Sequence, residues 1–217
     1  IYLTASGGPF LKIDNNKIYN AKISQVIKHP KWKMGQKNSI DSATLSNKIL
    51  EIIEAKYLFN IPFNKLDIVI HPEAFIHSII EFNDFQSNLN YFYPDMFIPI
   101  INFISKVSLT ISKPVKIKKF YFNKSNQFNF YDVDKIKFPI YKLLKDLDFN
   151  NPLNAIKFNI ANEHAVNLFL TKKIKFGDIY KYICEYMLID INSPSNSIEN
   201  VINIHYEFNS MLKNKYL

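Results

Sequence analysis

Strand-like and helix-like segments are separated along this chain, and this separation limits its fold class more than any other feature. The runs rich in Ile, Val, Phe and Tyr that have strand character lie before residue 123, whereas the patterned segments after residue 134 have helical spacing. The sequence therefore predicts an α+β fold, in which a domain with a mixed or antiparallel sheet and helices precedes a small all-α helical bundle. We place the first domain at residues 1–122, a polar linker at 123–134 and the bundle at 135–217.

The individual elements follow from periodicity and from turn signals. Residues 42–58 carry apolar side chains at the spacing of an amphipathic helix, with Asp41 or Ser42 as its N-cap. Residues 10–41 are polar and weakly periodic, so we predict a long loop, which inside a compact domain is more often functional than accidental. The predicted strands are residues 1–5, 67–71, 76–82, 87–93 and 115–122. The other predicted helices are residues 96–106, 135–149, 153–171, 175–189 and 195–215.

The chain is basic, with a formal net charge of +8, yet its 27 basic residues are all lysines and are spread along the sequence. We attribute this usage to a genome rich in A and T. Nucleic-acid-binding proteins normally cluster their charge and use arginine for bidentate contacts, so we expect no nucleic-acid partner. No apolar run approaches the ~20 residues that span a bilayer, so we expect no membrane association. The single cysteine, Cys184, excludes a disulfide framework and any multi-cysteine metal site.

A first candidate site lies near the start of the predicted helix 42–58. Asn47 and Glu51 share one face of that helix, and Lys48 adjoins it. A helix start offers free backbone N–H groups and the positive end of the dipole, which suit a phosphate. The amide, ammonium and carboxylate could together bind an anionic polyol with a cation beside it. On spacing alone, the alternative of a solvated helix face with a Lys48–Glu51 ion pair is favoured.

Two loops and two histidines are further candidates. The turn 6–8, Ser-Gly-Gly, lets the backbone approach a ligand while the serine donates a hydrogen bond, although most Gly-Gly turns are only turns. Trp32 shares a segment with His29 and either packs into the core or belongs to a lid over a ligand. His71 and His77 lack a Cys or carboxylate partner at fixed spacing, so we interpret both as structural histidines rather than metal ligands.

Taken together and in this order, several sequence blocks resemble those of the 1-deoxy-D-xylulose 5-phosphate reductoisomerase family. The resemblance runs from residue 1 to about residue 190, with the spacing between blocks preserved. Several long blocks in register are far more specific than any single short motif. The blocks are LTASGGPF at 3–10, HPKWKMG at 29–35, DSATLSNK at 41–48, IHPEAFIHS at 70–78, YPDM at 93–96 and NIANE at 159–163.

This resemblance implies an enzyme that rearranges 1-deoxy-D-xylulose 5-phosphate and reduces the product with NADPH to 2-C-methyl-D-erythritol 4-phosphate, in the non-mevalonate pathway of isoprenoid synthesis. It implies that a divalent cation, Mn²⁺ or Mg²⁺, chelates the substrate oxygens and that Glu51 contributes one carboxylate to the metal. Lys48, His29 and Glu51 are the implied catalytic residues. Gly35 is implied to lie near the NADPH, and residues 28–36 to form an active-site flap of the catalytic domain. The implied substrate-binding residues are Ser6, His29, Trp32, Ser42, Asn47, Lys48 and Glu51.

The chain departs from the family pattern on its N-terminal side. Its four glycines are not spaced as a dinucleotide-binding fingerprint, and the Asp-Ser-Glu segment with the family's other metal carboxylates would precede residue 1. We therefore expect the N-terminal NADPH-binding domain to be missing and the isolated chain to bind NADPH and metal poorly and to be inactive. The alternative is a degenerate remnant, a phosphate-binding or scaffolding module without catalysis.

The resemblance also implies a homodimer, and the strand-rich region 67–122 offers edges that could pair between subunits. The implied location is the cytoplasm of a bacterium or a plastid-type organelle.

Overall fold

The sheet contains four strands in the order β2-β1-β3-β4. The computed structural model describes residues 1–29, 34–107, 127–191 and 193–215. Strand β1 (Tyr2–Ala5) pairs in parallel with β2 (Asp67–Ile70) and antiparallel with β3 (Ile76–Glu81), which pairs antiparallel with β4 (Ser87–Tyr91). The mixed sheet and the α+β class are therefore confirmed, with these strands close to their predicted positions. The strand predicted at 115–122 lies outside the described residues.

Helices dominate the rest of the described chain, and those after residue 134 are not interrupted by a named strand. The first half contains α1 (Asn15–Ile18), α2 (Ile23–Val26), α3 (Gln36–Thr44), α4 (Ser46–Phe59) and α5 (Phe97–Val107). The second half contains α6 (Leu143–Asp146), α7 (Pro152–Leu170), α8 (Asp178–Met187) and α9 (Ile198–Lys215). Helix α7 begins as its sequence predicts, because Pro152 occupies the first turn and the Asn151 side chain accepts a hydrogen bond from the backbone N–H of Leu153.

The single helix predicted at 42–58 is wrong at its start. Asp41 and Ser42 lie inside α3 rather than at an N-cap, and α4 begins only at Ser46. Leu45 separates the two helices with a left-handed backbone, φ 73°, and its side chain is buried. A leucine in this conformation is uncommon and is held by its surroundings, so no glycine or proline marks the break in the sequence.

Two other predicted segments differ from the structure. The long loop predicted at 10–41 is wrong, because it contains α1, α2 and most of α3, which are anchored by the buried side chains of Ile18, Val26 and Ile40. The helix predicted at 135–149 is shorter than expected. It consists of a 3-10 turn at Pro139–Lys142 followed by α6. Residues before Pro139 do not extend the helix, because proline has no backbone N–H to donate to the preceding turn.

One continuous hydrophobic core joins the sheet side of the molecule to the helices of the second half. Ile49 and Ile52 of α4 are fully buried in this core, as are Phe158 of α7 and Phe208 of α9. Helices α3 and α4 both pack against α7. The helical half therefore supports the elements that carry the predicted site residues.

The segment predicted as a linker is described from residue 127 onward. Within it, Tyr131 and Ile70 exchange two backbone hydrogen bonds of 2.9 Å at the end of β2. Val133 is buried in the common core. The division into domains at 122 and 135 stays a prediction.

A close contact joins the start of the chain to α8. The ring of Tyr19 lies so near Gly177 that a Cβ added there would be 2.0 Å from Cδ2 of the ring. The Gly177 N–H donates to the Tyr19 carbonyl at 3.0 Å, and the Tyr19 hydroxyl donates to Asp178 at 2.6 Å. No residue larger than glycine fits at position 177 without displacing Tyr19.

Strand β4 forms one edge of the sheet, and all five of its residues are exposed. Phe85, in the turn before β4, is 99% exposed, and Phe103 of α5 is 69% exposed. None of the helices in the described ranges has the length and apolar character needed to cross a membrane.

Candidate active site

A cleft of about 1030 Å³ lies beside the end of β1. Residues of β1, β3, α3 and the start of α4 line it, together with the segment that leads into α5. The structure brings six of the site residues predicted from the sequence into this one cleft. They are Ser6, His29, Ser42, Asn47, Lys48 and Glu51.

The turn that follows β1 forms one side of the cleft. The Ser6 hydroxyl lies 3.2 Å from Nε2 of His29 and accepts a hydrogen bond of 3.3 Å from the Gly8 N–H. Gly8 has φ 61°, and a Cβ on it would lie 3.0 Å from the Ser42 carbonyl oxygen. The glycine therefore lets the turn approach α3 closely, which brings Ser6, His29 and Ser42 to the same place.

Helix α3 presents one face to the cleft. Asn38 and Ser42 are one turn apart on this face, and both line the cleft. Asn38 is absent from the sequence predictions because residues 10–41 were predicted to be a loop. Its position four residues before Ser42 would have identified it if α3 had been predicted to start at Gln36.

The first turns of α4 carry the polar group predicted from residue spacing. Asn47 Nδ2 donates a short hydrogen bond to Oε1 of Glu51, and Lys48 Nζ donates to Oε2 of Glu51 at 2.5 Å. The Lys48 side chain is only 16% exposed and the Glu51 side chain 35%. The ion pair that formed the alternative interpretation is thus present, but it lies in the wall of a cleft rather than on a solvated helix face.

The two cleft histidines are largely withdrawn from water. Burial lowers the pKa of His29 to about 4 and is also the largest cause of the lowered pKa of His77, again to about 4. Both rings are therefore neutral at pH 7. His77 stacks on Phe92 at 3.7 Å between ring centres, and its Nε2 is buried without a hydrogen-bond partner among the described residues.

The structural interpretation of the other histidine fits the structure. His71 is fully buried, its Nδ1 lies 2.9 Å from the Asn129 carbonyl oxygen, and its ring stacks on Phe130. For His77 the structural interpretation is incomplete, because its ring lines the cleft. Alternation along β3 could not predict that His77 faces the cleft, since a register irregularity lies between Ile76 and Ser78.

The remaining predicted site residues, Trp32 and Gly35, belong to the segment predicted as a flap, residues 28–36. Trp32 lies outside the described residues. Met34 lines the cleft, and Gly35 is the N-cap of α3. A Cβ added to Gly35 would meet nothing within 4 Å among the described residues, so neither packing nor its backbone angle requires glycine there.

Two carboxylates in the cleft, Glu51 and Asp95, are the oxygen ligands that a hard divalent cation prefers. Within the described ranges, no group of three or more His, Cys, Asp and Glu side chains is placed to hold a metal ion. Each carboxylate could supply a ligand to Mg²⁺ or Mn²⁺, and a tightly held ion needs additional oxygen ligands.

Comparison with known proteins gives consistent matches. A family model described as the 1-deoxy-D-xylulose 5-phosphate reductoisomerase C-terminal domain matches residues 1–59, and one described as the DXP reductoisomerase C-terminal domain matches residues 93–211. The chain is 41% identical over 179 residues to the 1-deoxy-D-xylulose 5-phosphate reductoisomerase of Pelagibacter ubique, covering 82% of this chain and 45% of the relative. It is 37% identical over 219 residues to that of Clostridium kluyveri, covering 100% of this chain and 55% of the relative.

Solved structures agree with the sequence matches. A DOX-P reductoisomerase in complex with NADPH, fosmidomycin and magnesium superposes with a TM-score of 0.81 at 32% identity, covering 99% of this chain and 54% of that one. The reductoisomerase of Zymomonas mobilis in complex with NADPH superposes with a TM-score of 0.82 at 32% identity, with the same coverage. The chain thus spans about half the length of the relatives that it matches.

Proposed function

This chain belongs to the 1-deoxy-D-xylulose 5-phosphate reductoisomerase family, and we propose that it forms the substrate-binding part of an enzyme that converts 1-deoxy-D-xylulose 5-phosphate into 2-C-methyl-D-erythritol 4-phosphate. The reaction is a metal-assisted rearrangement of the carbon skeleton followed by reduction with NADPH, and it supplies isoprenoid precursors. The observation that carries the proposal is the convergence of six predicted site residues, from separate segments of the chain, on one cleft.

The phosphate end of the substrate lies, in this proposal, between the turn after β1 and the first turn of α4. The hydroxyls of Ser6 and Ser42 and the amide of Asn47 donate hydrogen bonds to its oxygens, and the Lys48 ammonium supplies the opposite charge. The start of α4 adds the positive end of a helix dipole. Lys48 has three N–H donors, so it can retain its bond to Glu51 while it binds the phosphate.

Glu51 is proposed as a ligand of a divalent cation. Asn47 and Lys48 each donate to one of its oxygens, which holds the carboxylate in one orientation in the cleft wall. When bound, Mg²⁺ or Mn²⁺ would polarise the substrate oxygens and NADPH would supply the hydride. Gly35, at the start of α3, remains the residue proposed to lie near the nicotinamide, where its lack of a side chain leaves room.

His29 and His77 act as uncharged groups in this site. Because the pKa of each is lowered to about 4, the rings can donate or accept a hydrogen bond at neutral pH without adding charge beside the metal. The hydrogen bond between Ser6 and His29 orients both groups toward the substrate. Met34, with the predicted Trp32, is proposed to cover the carbon chain and exclude water.

We also propose that the complete protein is a homodimer and that it acts in the cytoplasm, since its curated relatives are bacterial. The exposed edge of β4 and the exposed apolar residues of α5 are surfaces that a second subunit could cover. Sedimentation velocity of the complete protein should report the mass of a dimer, and a monomer at micromolar concentration would contradict this part of the proposal.

The alternative is a non-catalytic module that binds a phosphate or serves as a scaffold. One observation favours it, namely the drift of the sequence toward Lys and Asn. The two candidates differ in whether the complete gene product turns over the substrate.

The deciding experiment is NADPH oxidation by the complete gene product with 1-deoxy-D-xylulose 5-phosphate and Mn²⁺. We expect turnover by the wild type, and a loss of about 100-fold or more in Glu51→Gln and Lys48→Ala, because each removes a charged group that contacts the reacting system. Glu54→Gln, an exposed substitution on the same helix, is the matched control and should retain activity. The 217-residue chain alone should be inactive.

A folded wild-type protein with no turnover would support the non-catalytic alternative. Turnover that survives both Lys48→Ala and Glu51→Gln would leave the reaction in place but contradict the roles proposed for these two residues.

A further inference from the structure

Helix α3 is joined to its neighbours at two non-helical positions. It starts at Gly35, which has an extended backbone, and ends at Leu45, which has φ 73°. The face with Asn38 and Ser42 lines the cleft. The orientation of this short helix therefore sets where the Ser42 hydroxyl points.

Next to the cleft face, α3 is held by a buried polar contact to the second half of the chain. Asp41 is 1% exposed, and its Oδ1 accepts a hydrogen bond of 2.9 Å from Nδ2 of Asn162 on α7, which is fully buried. Its Oδ2 accepts from Nζ of Lys37, one turn earlier on α3, at 2.5 Å. Asp41 thus bridges α3 and α7 directly beside Ser42.

Burying the amide of Asn162 costs free energy of folding. Its Oδ1 has no hydrogen-bond partner among the described residues, so only one side of the amide is satisfied. An apolar side chain of similar size would fill the same space without that cost. The retained amide is therefore better explained by its bond to Asp41 than by packing.

From these contacts we propose that Asn162 is a positioning residue, which acts through Asp41 to hold α3 in the orientation that directs Ser42 into the phosphate end of the cleft. This inference rests on the proposed function. It gives the helical half of the chain an indirect part in substrate binding, through a hydrogen bond between two side chains that are 121 residues apart in the sequence.

The test compares Asn162→Ala with Asn159→Ala in the 217-residue chain. Asn159 is exposed on the same helix, so its substitution makes the same chemical change away from the buried contact with Asp41. Two quantities are measured, namely amide hydrogen exchange of residues 36–44 and binding of inorganic phosphate by calorimetry. We expect Asn162→Ala to speed exchange in α3 and to weaken phosphate binding about tenfold, and Asn159→Ala to change neither.

A double-mutant cycle with Asp41→Asn separates positioning from general destabilisation. If Asn162 acts through Asp41, the effects of the two substitutions on phosphate affinity are non-additive, whereas independent structural effects add. Unchanged exchange in α3 together with unchanged phosphate affinity in Asn162→Ala would overturn the inference. If the wild-type chain binds no phosphate, the phosphate site proposed for this chain fails, and the exchange of α3 alone then decides whether Asn162 holds this helix.

Discussion

The wall of the cleft and the helical bundle behind it are held together in different ways. In the bundle, the 19-residue helix α7 packs against α8 and α9, and each of the three contributes a fully buried side chain, namely Phe158, Ile183 and Phe208. In the wall, short segments meet at residues with positive φ, including Gly8 and Leu45, and polar side chains bond to one another. This difference suggests that the bundle supplies most of the stability, while the wall supplies ligand geometry at some cost in stability.

The largest expected effect concerns stability in the bundle. Phe158→Ala removes a fully buried ring and should lower the free energy of unfolding by about 3–5 kcal/mol. Phe59→Ala, on the 69% exposed ring at the end of α4, is the matched control, and Lys48→Ala in the wall should cost about 1 kcal/mol or less. Urea unfolding followed by circular dichroism measures all three. Equal losses for Phe158→Ala and Lys48→Ala would remove the distinction between bundle and wall.

An intermediate effect is expected where the wall itself is tightest. Gly8→Ala places a Cβ 3.0 Å from the Ser42 carbonyl oxygen at φ 61°, which should cost about 1–3 kcal/mol and shift the Ser6 turn. Gly35→Ala is the comparison, because its Cβ would meet nothing within 4 Å among the described residues. Thermal unfolding and phosphate titration give the two readouts. A Gly8→Ala protein as stable as Gly35→Ala would show that the turn can relax without cost.

The smallest effect is a pH dependence that originates in the cleft. His77 has its pKa lowered to about 4, mainly by burial, while the unfolded chain has the ordinary value near 6.5. Between pH 6.5 and pH 4 the unfolded state therefore binds more protons than the folded state, so the free energy of unfolding falls on acidification through this range. Above pH 6.5 His77 has little effect on it. The other titrating groups cancel when wild type is compared with His77→Gln at pH 7 and at pH 5. The difference in acid-induced loss of stability should reach at most about 2 kcal/mol. An identical acid sensitivity in both proteins would mean that His77 is not buried as described.

The long, strongly periodic elements of the fold could be predicted from the sequence, because tertiary contacts reinforce their local preferences. Strands β2 to β4 and helices α5, α7, α8 and α9 lie near their predicted positions. The break at Leu45 could not, since leucine favours helix and only packing holds it at positive φ. Helices α1 and α2 have four residues each, too few for a periodicity to be visible.

The residues of the candidate site could likewise be predicted only in part from the sequence. Ser6, His29, Ser42, Asn47 and Lys48 were found because they stand in long blocks that resemble one family. Glu51 was found because it lies one turn after Asn47 on a predicted helix. Asn38 was missed because its helix was not predicted, and the exposure of His77 to the cleft depends on an irregular strand register. The bond between Asp41 and Asn162 joins residues from two predicted domains, and no local pattern can signal such a pair.

The contact between Tyr19 and Gly177 has a consequence for how this sequence can change over time. Glycine codons begin with two G bases, so a genome under pressure toward A and T tends to lose them, and this chain retains only 4 glycines. At position 177 a replacement would drive a side chain into the Tyr19 ring, which explains why mutational pressure has not removed it. No described neighbour imposes such a constraint on Gly35, so packing within the described part of the chain does not explain a glycine there.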